Sequence, residues 1–303
     1  MVEITEHQAG QRIDNFLITF LKGVPKSRVY RILRKGEVRV NRGRVKAEYR
    51  LQAGDQVRVP PVRVAEREAL PGPSPRLQQL LEHSIVYEDE GLLVIDKPAG
   101  LAVHGGSGVS LGLIESLRAT RPDHPFLELV HRLDRETSGC LLVAKKRSAL
   151  RHLQDEMRSG HVEKVYQALV CGRWPKGMKL VNVPLRKNEL KSGERIVKVD
   201  VEGKPSVTHF AVLQRFDRHT LMEATLETGR THQIRVHSQF VGCPLAGDDK
   251  YGNDECNQQL KELGLKRMFL HAARLEFTAP SGKRVRVEAS LPEELAAVLE
   301  KLG

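Results

Sequence analysis

The stretch of this 303-residue chain that bears most directly on its fold and chemistry reads His131-Arg132-Leu133-Asp134-Arg135-Glu136-Thr137-Ser138-Gly139. A single central carboxylate stands between two arginines, and the polar run leads into an apolar segment at residues 141–144. A loop fixed by a strand is a common place for catalytic groups, and flanking arginines favour an ionised carboxylate and a nearby phosphate backbone. Taken alone, these residues fit a surface turn held by ion pairs even better.

Outward from this stretch, most of the chain after residue 80 is typical of short strands with helices between them. Apolar or alternating segments predict strands at 84–87, 92–95, 141–144, 165–170, 207–216, 221–226 and 283–287. Helical candidates lie at 111–120, 148–159, 231–241 and 292–302. Strands and helices do not alternate regularly, so we expect residues 81–303 to form an α+β domain with a mixed, mainly antiparallel sheet.

The first sixty residues form a separate, strongly basic segment. They contain thirteen Lys and Arg against six Asp and Glu, a balance of +7, whereas the whole chain carries +11. A basic excess concentrated in one fifth of the chain favours a polyanionic partner such as nucleic acid, although a basic face also serves solubility.

A helix predicted over residues 26–35 organises this basic segment. Proline precedes the helix and glycine follows it, which are start and stop signals. Its apolar stripe is formed by Val29, Ile32 and Leu33. The opposite side carries four cations, which are Arg28, Arg31, Arg34 and Lys35.

A second helix at 13–21 and short strands at 37–42 and 55–59 complete the segment. The arrangement resembles the alpha-L motif, a small RNA-binding module shared by a ribosomal small-subunit protein and some tRNA synthetases. We therefore expect an RNA-binding domain over residues 1–60. The alternative is a small α+β domain whose basic face is merely solvated. Five prolines between residues 60 and 75 predict an extended linker, which we place at 61–80.

The remaining composition indicates a soluble, cytoplasmic protein. No apolar run approaches the roughly 20 residues that span a bilayer, and the first thirty residues lack a signal-peptide core. The cysteines, at 140, 171, 243 and 256, are scattered without a CxxC pair. We expect four ordinary thiols in a reducing cytosol, and neither a disulfide framework nor a zinc site.

Four segments together give the stretch around Asp134 a specific interpretation. Residues 131–139 resemble the signature loop of the RluA-type pseudouridine synthases. The segments at 89–100, 164–166 and 229–237 resemble the same family in the expected order, so the resemblance covers nearly the whole chain. Residues 103–108 and 192–197 favour a branch of the family whose substrates are uridines of 23S rRNA.

The resemblance implies an enzyme that isomerises uridine to pseudouridine in 23S rRNA without a metal, nucleotide or redox cofactor. Asp134 would be its essential carboxylate, acting while the bond to uracil N1 breaks. Two roles stay open for this residue, a covalent bond to the sugar or removal of a proton from it. Arg235 would pair with Asp134 as its main partner, and Tyr166 would stack against the extruded base and assist proton removal.

Other polar residues in these segments are candidates for RNA contacts, because the target uridine must leave its stack. They are His131, Arg132, Arg230, His232 and Gln233, with His104 as a further candidate. A metal pair formed by His232 and His237 is disfavoured by their spacing and by the lack of a carboxylate partner. Residues 105–108 lack the Lys-Ser/Thr ending of a nucleotide site and are interpreted as a turn or an active-site loop.

Two other classes of function compete with the enzyme. A non-catalytic RNA-binding or ribosome-assembly factor could keep the fold, although it would not need Asp134, Tyr166 and Arg235 together. An alpha-L module fused to an RNA methyltransferase would need a Gly-rich βαβ cofactor site, and the sequence has none. No pattern suggests an oligomer, so we expect a monomer.

Overall fold

A computed structural model describes residues 1–6, 8–21, 23–62, 72–105, 111–189 and 195–303. These fall into two compact units, Met1–Pro71 and Gly72–Gly303. Parts of three predicted features lie outside the described residues, namely the linker at 63–71, the loop at 106–108 and the branch segment at 192–194. None of the described helices is both long enough and apolar enough to cross a membrane.

The first unit combines two helices with a small antiparallel sheet. Its elements are β1 (Val2–Glu3), α1 (Ile13–Phe20), α2 (Lys26–Arg34), β2 (Arg39–Val40), β3 (Gly43–Arg44) and β4 (Gln56–Arg58). The strand order is β1-β4-β2-β3. The strand predicted at 37–42 is shorter than expected, because Asn41 and Arg42 both take positive φ and turn the chain directly into β3. Two such residues in succession form the tight hairpin turn that suits twisted strands.

Helix α2 has the two faces that its sequence predicts. Val29, Ile32 and Leu33 are buried and belong to the core of the first unit. The four cations, Arg28, Arg31, Arg34 and Lys35, are all exposed. Burial of the apolar stripe therefore fixes the rotation of the helix and leaves its basic side to solvent.

The second unit is built on one large sheet. Its helices are α3 (Pro75–His83), α4 (Leu113–Thr120), α5 (Arg147–Arg158), α6 (Gln233–Phe240), α7 (Asp254–Glu262) and α8 (Glu293–Leu302). Its strands are β5 (Ile85–Glu88), β6 (Leu92–Lys97), β7 (Glu128–Leu129), β8 (Ser138–Ala144), β9 (Glu163–Cys171), β10 (Leu180–Asn182), β11 (Leu185–Glu189), β12 (Arg195–Val199), β13 (Val207–Arg215), β14 (His219–Leu226), β15 (Leu270–Thr278) and β16 (Arg284–Glu288).

The large sheet has ten strands, with the main order β10-β13-β14-β9-β15-β8-β6-β5. Strand β16 pairs with β15 and β7 pairs with β8, while β11 and β12 form a separate hairpin. Among the described strands, only β15 and β8 run parallel to each other. This is the mixed, mainly antiparallel sheet that the sequence predicts, and it differs from the doubly wound parallel sheet that a Gly-rich βαβ cofactor site would require.

Both faces of the central strands are buried. In β6, Leu93 and Ile95 pack into one apolar cluster, whereas Leu92 and Val94 pack into another. Successive side chains of a strand point to opposite faces, so the continuous apolar run of β6 supplies both clusters. The catalytic-loop candidate at 131–139 enters this two-sided core through β8, which is buried along its whole length.

The close approach of β8 to β15 depends on Gly139. This residue has a φ of +105°, and a Cβ on it would lie 2.2 Å from the Ala272 carbonyl oxygen. Only glycine fits such a conformation and such a contact without movement of the backbone. The glycine at the end of the catalytic-loop candidate thus ties that loop to the centre of the sheet.

Several elements differ from the sequence predictions, including the short strands β7, β10, β11 and β12, which were not predicted. Residues 75–80, assigned to the linker, belong to α3, because Pro75 occupies the first helical position and the Ser74 hydroxyl accepts a hydrogen bond from Leu77 N–H at 3.3 Å. Helix α7 and strand β15 are absent from the predictions. Strand β15 begins with a run buried on both sides, so it lacks the alternation that reveals a half-buried strand.

The expectation of four free thiols is wrong for two cysteines. Cys171 at the end of β9 and Cys256 in α7 are joined by a disulfide, while Cys140 and Cys243 are free and buried. Among the described residues, the one group with clustered potential metal ligands is this pair together with His219. No local pattern indicates the pairing, because the two cysteines are 85 residues apart.

Candidate active site

The turn that carries Asp134 is fastened to the sheet by a buried lysine. Lys97 ends β6 and is fully buried. Its Nζ donates hydrogen bonds to the carbonyl oxygens of Pro98 at 2.8 Å, Leu101 at 2.9 Å and Arg135 at 3.0 Å. Burial lowers the pKa of Lys97 to about 8. This lysine links two loops, a role that no sequence pattern indicates.

The structure brings Asp134, Tyr166 and Arg235 together from three elements. Arg235 lies in the first turns of α6, and its Nη1 donates to Asp134 Oδ2 at 3.2 Å. The two side chains are only 12% and 19% exposed, respectively. A largely buried guanidinium at this distance restrains the position of the carboxylate.

Arg235 has a closer partner than Asp134, contrary to our expectation. Its Nε and Nη2 each donate to a different oxygen of Asp248 at 2.7 Å. Asp248 is fully buried and also accepts hydrogen bonds from the backbone N–H groups of Lys250 and Tyr251. Although burial opposes its ionisation, the hydrogen bonds and charge of Arg235 outweigh that effect and lower the pKa of Asp248. Asp248 thus anchors the guanidinium that reaches Asp134.

Asp248 is missing from the residues predicted for the site, although one signal for it was present. A buried arginine on an amphipathic helix needs a counter-ion, and Asp248 and Asp249 follow the helix closely in sequence. The loop that carries Asp248 is itself fixed by Asn257 of α7. The Asn257 amide accepts from Gly247 N–H at 2.8 Å and donates to the Asp248 carbonyl at 3.1 Å.

Tyr166 lies on β9 and is buried beside the carboxylate. Burial, and after it the negative charge of Asp134, raise the pKa of its phenol. The phenol is therefore protonated at neutral pH, which leaves Tyr166 suited to stacking and unsuited to act as a phenolate base.

A cavity of about 490 Å³ opens next to these groups. Its lining includes Arg132, Asp134, Arg158, Lys164, Tyr166, Glu227, Arg230 and His232. Four cations against two carboxylates give the cavity a positive character, which suits a ligand with a phosphate backbone. Its volume lies in the range of pockets that hold small organic ligands, so an extruded nucleotide fits.

His232 is the N-cap residue of α6 and lines the cavity, and its backbone has a left-handed conformation with a φ of 54°. The Tyr251 hydroxyl accepts from Val197 N–H at 2.9 Å and shares a hydrogen bond with His232 Nδ1 at 2.8 Å. The other ring nitrogen, Nε2, lies 3.8 Å from Asp134 Oδ2. Burial lowers the pKa of His232, so the ring faces the carboxylate in its neutral form.

His131 is engaged by the protein itself. Leu142 N–H donates to its Nε2 at 3.1 Å, which requires an unprotonated nitrogen. Burial, and next the positive charge of Lys164, lower the pKa of His131 to about 4. His131 therefore holds the catalytic-loop candidate against β8, besides lining the cavity.

The other candidates for RNA contact separate into two groups. Arg132 and Arg230 are exposed and line the cavity, and Arg230 Nε also donates to the Pro205 carbonyl at 3.1 Å. Gln233 is buried and its amide is saturated. It accepts from the Thr228 hydroxyl and from Arg230 N–H, and it donates to the Val207 carbonyl and the Thr208 hydroxyl. Gln233 therefore supports the loop before α6 and has no group left for RNA.

Neither of the two remaining histidine candidates lines the cavity. His104 is exposed, and its ring contacts the Gly105 carbonyl at 3.0 Å. His237 is fully buried, and its two ring nitrogens are bound to the Thr208 hydroxyl and the Val183 carbonyl. The ring of His237 is thus committed to the core, which agrees with our rejection of a metal pair with His232.

Comparison with known proteins identifies the two parts of the chain. The RNA pseudouridylate synthase family matches residues 91–240, and the S4 domain matches residues 11–57. The chain is 58% identical to ribosomal large subunit pseudouridine synthase C of Pasteurella multocida, over all of this chain and 93% of that protein. This chain belongs to the RNA pseudouridylate synthase family. The protein of the same name from Escherichia coli K12 is 59% identical, over all of this chain and 96% of its own length.

A solved structure supports the same assignment. The human RNA pseudouridylate synthase domain containing 4 superposes with a TM-score of 0.62 at 28% identity, covering 75% of this chain and 95% of that one. The family resemblance and the α+β fold predicted from the sequence are therefore confirmed. The chain is a pseudouridine synthase, and the S4 match confirms the small module expected at its N-terminal side.

Proposed function

We propose that this pseudouridine synthase isomerises uridines in the 23S rRNA of the large ribosomal subunit, with Asp134 as its catalytic residue. The observation that carries the proposal is the place of Asp134 at a basic, nucleotide-sized cavity, next to Tyr166 and within 3.2 Å of Arg235. The two bacterial relatives support the choice of RNA, since their names refer to the large ribosomal subunit.

The reaction rearranges bonds within one nucleotide. The bond from ribose C1′ to uracil N1 breaks, the freed uracil turns, and C1′ joins C5, which then loses its proton while N1 gains one. Attack by Asp134 on C1′ and removal of a ribose proton by Asp134 both begin with an ionised carboxylate. Arg235 holds that carboxylate in place by a hydrogen bond, and no reactant beyond the uridine is needed for the isomerisation to balance.

We assign the remaining groups by their surroundings. Tyr166 stacks on the extruded uracil, because its ring is fixed by burial and its phenol stays neutral. Arg132, Arg230 and His232 contact the RNA at the cavity, whereas His131 and Gln233 hold the loops that present them.

We also propose how the two units divide the work. Residues 1–60 bind rRNA through the exposed face of α2, and the unit that begins at Gly72 and includes α3 carries out the chemistry. The protein acts as a monomer in the cytoplasm, where an rRNA substrate would be met. The exposed arginines of α2 and the cavity in the second unit support this division.

The deciding experiment uses unmodified 23S rRNA fragments. The protein is incubated with them, and pseudouridine is mapped by carbodiimide treatment followed by primer extension. We expect stops at defined uridines with the wild-type protein and none with Asp134→Asn, which keeps the size of the side chain. Full activity in the variant would remove Asp134 from the chemistry, and the absence of any stop with wild type would remove the proposed substrate.

A further inference from the structure

One cation of the cavity has no counter-ion in the free protein. Lys164 lies on β9 two residues before Tyr166, so the two side chains share a face of the sheet. Both line the cavity, yet Lys164 is only 6% exposed. Over the described parts of the chain, its ammonium takes part in no hydrogen bond or ion pair.

The two carboxylates of the cavity are engaged elsewhere. Asp134 pairs with Arg235, and Glu227 is bonded to His209 on the neighbouring strand. The pKa of Lys164 is lowered by burial alone, without an opposing contribution from any acid. An ammonium on a largely buried side chain that has no protein partner is available to pair with an anionic ligand in the cavity.

Lys164 lines the cavity together with His131, Asp134 and Tyr166, and its positive charge lowers the pKa of His131. If the uracil and C1′ occupy the space between Asp134 and Tyr166, the group of a nucleotide left for Lys164 is its charged backbone.

We propose that Lys164 binds a backbone phosphate next to the target uridine once that nucleotide has entered the cavity. This inference rests on the proposed function, because the nucleotide is the substrate of that function. The other cations of the cavity are less suited to the task. Arg158 is exposed and bonded to Asp155, Arg230 is exposed and bonded to the Pro205 carbonyl, and Arg132 is exposed. Among the cavity cations, Lys164 alone combines a largely buried side chain with the lack of a hydrogen-bonding or ionic partner. A contact between Lys164 and a phosphate would therefore form only when the nucleotide has fully entered the cavity.

The test measures binding and turnover separately, on an rRNA fragment that the wild-type protein modifies. Lys164→Met removes the charge and keeps the length of the side chain, Lys164→Gln serves as a second variant, and Lys283→Gln removes an exposed lysine far along the chain as a control. We expect about a tenfold loss of affinity in both Lys164 variants and none in the control. The slope of log affinity against log salt should decrease by about 0.7.

A second experiment changes the RNA and keeps Lys164 in the protein, so its first comparison does not depend on how the Lys164 variants fold. Each phosphate flanking the target uridine is replaced in turn by a neutral methylphosphonate, and binding is measured with Asp134→Asn to prevent turnover. One replacement should weaken binding about tenfold and should have no further effect when Lys164→Met is added. Because the free protein loses only an unpaired buried charge, its melting temperature should stay the same or rise.

Three results would overturn the inference. The first is an unchanged salt slope with a fall in kcat alone, which would place Lys164 at the uracil. The second is a methylphosphonate series that has no effect on binding by Asp134→Asn. The third is a lower melting temperature of the Lys164 variants with unchanged affinity. Failure of the proposed function is distinguishable from all three results. It would be seen before the Lys164 variants are tested, because the wild-type protein would then modify none of the rRNA fragments.

Discussion

Asp248 holds the Arg235 guanidinium with two hydrogen bonds of 2.7 Å, whereas Asp134 receives one hydrogen bond of 3.2 Å from the same group. The Arg235 guanidinium is thus held mainly by the buried carboxylate of Asp248, and its Nη1 donates to the carboxylate of Asp134 at the cavity. This arrangement holds the Asp134 carboxylate in a fixed position at the cavity. It also explains why a residue outside the cavity should affect turnover.

We expect Asp248→Asn to lower kcat by on the order of 10²-fold, because the guanidinium loses one of its two charge-assisted partners and shifts relative to Asp134. The KM for rRNA should change little, since Asp248 does not line the cavity. The matched control is Asp249→Asn, the same change at an exposed neighbour. Single-turnover kinetics on a 23S fragment provide the measurement, and a loss confined to KM would contradict a positioning role.

Tyr166 should tolerate the loss of its hydroxyl better than the loss of its ring. Its phenol is kept protonated by burial and by Asp134, so Tyr166→Phe retains the stacking surface without removing a group that ionises at neutral pH. We expect a fall in turnover of less than about tenfold for Tyr166→Phe and a far larger one for Tyr166→Leu, which removes a base–aromatic stack. Equal inactivity of both variants in a single-turnover assay would show that the hydroxyl takes part in the reaction.

Acid should destabilise the protein through His131. In the unfolded chain this histidine binds a proton near pH 6.5, whereas the native state keeps it neutral until about pH 4. The unfolded state is therefore increasingly favoured as the pH falls through that window, by up to about 3 kcal/mol. His131→Gln keeps an acceptor for Leu142 N–H and does not titrate, so its free energy of unfolding should fall less between pH 6.5 and 4.

Urea titrations at several pH values measure this difference. The matched control is His83→Gln, the same substitution at an exposed histidine of α3. It should follow the wild-type pH dependence. A wild-type curve that stays flat from pH 6.5 to 4 would argue that His131 is protonated in the native state and that its ring does not accept from Leu142 N–H.

The exposed arginines of α2 should determine part of the salt dependence of rRNA binding. We expect the triple variant Arg28→Gln, Arg31→Gln, Arg34→Gln to bind more weakly, with a slope reduced by about 0.7 for each phosphate that no longer meets a cation. Its melting temperature should be unchanged, because all three side chains are exposed. Filter binding across a range of salt concentrations tests this. A parallel line for wild type and variant would mean that this face does not bind RNA.

Much of the fold follows from local sequence. The apolar stripe of α2 predicts its buried face, and the apolar runs at 92–95 and 141–144 predict central strands. Local sequence patterns do not predict an element whose buried residues show no periodic spacing. Strand β15 is covered on both faces at its start and shows no alternation, and α3 begins at a proline that is equally typical of a linker.

The sequence alone determined the family, the basic N-terminal segment and the residues at which chemistry is expected, because those properties reside in short runs of neighbouring residues. Tertiary structure decided which charges meet. Asp134 and Arg235 are 101 residues apart, and the strength of their interaction depends on Asp248, which the fold brings behind the guanidinium. The same holds for the neutral ring of His131 and the unpaired ammonium of Lys164. Burial and charge partners depend on the path of the whole chain, and they fix the pKa values and positions on which the proposed reaction relies.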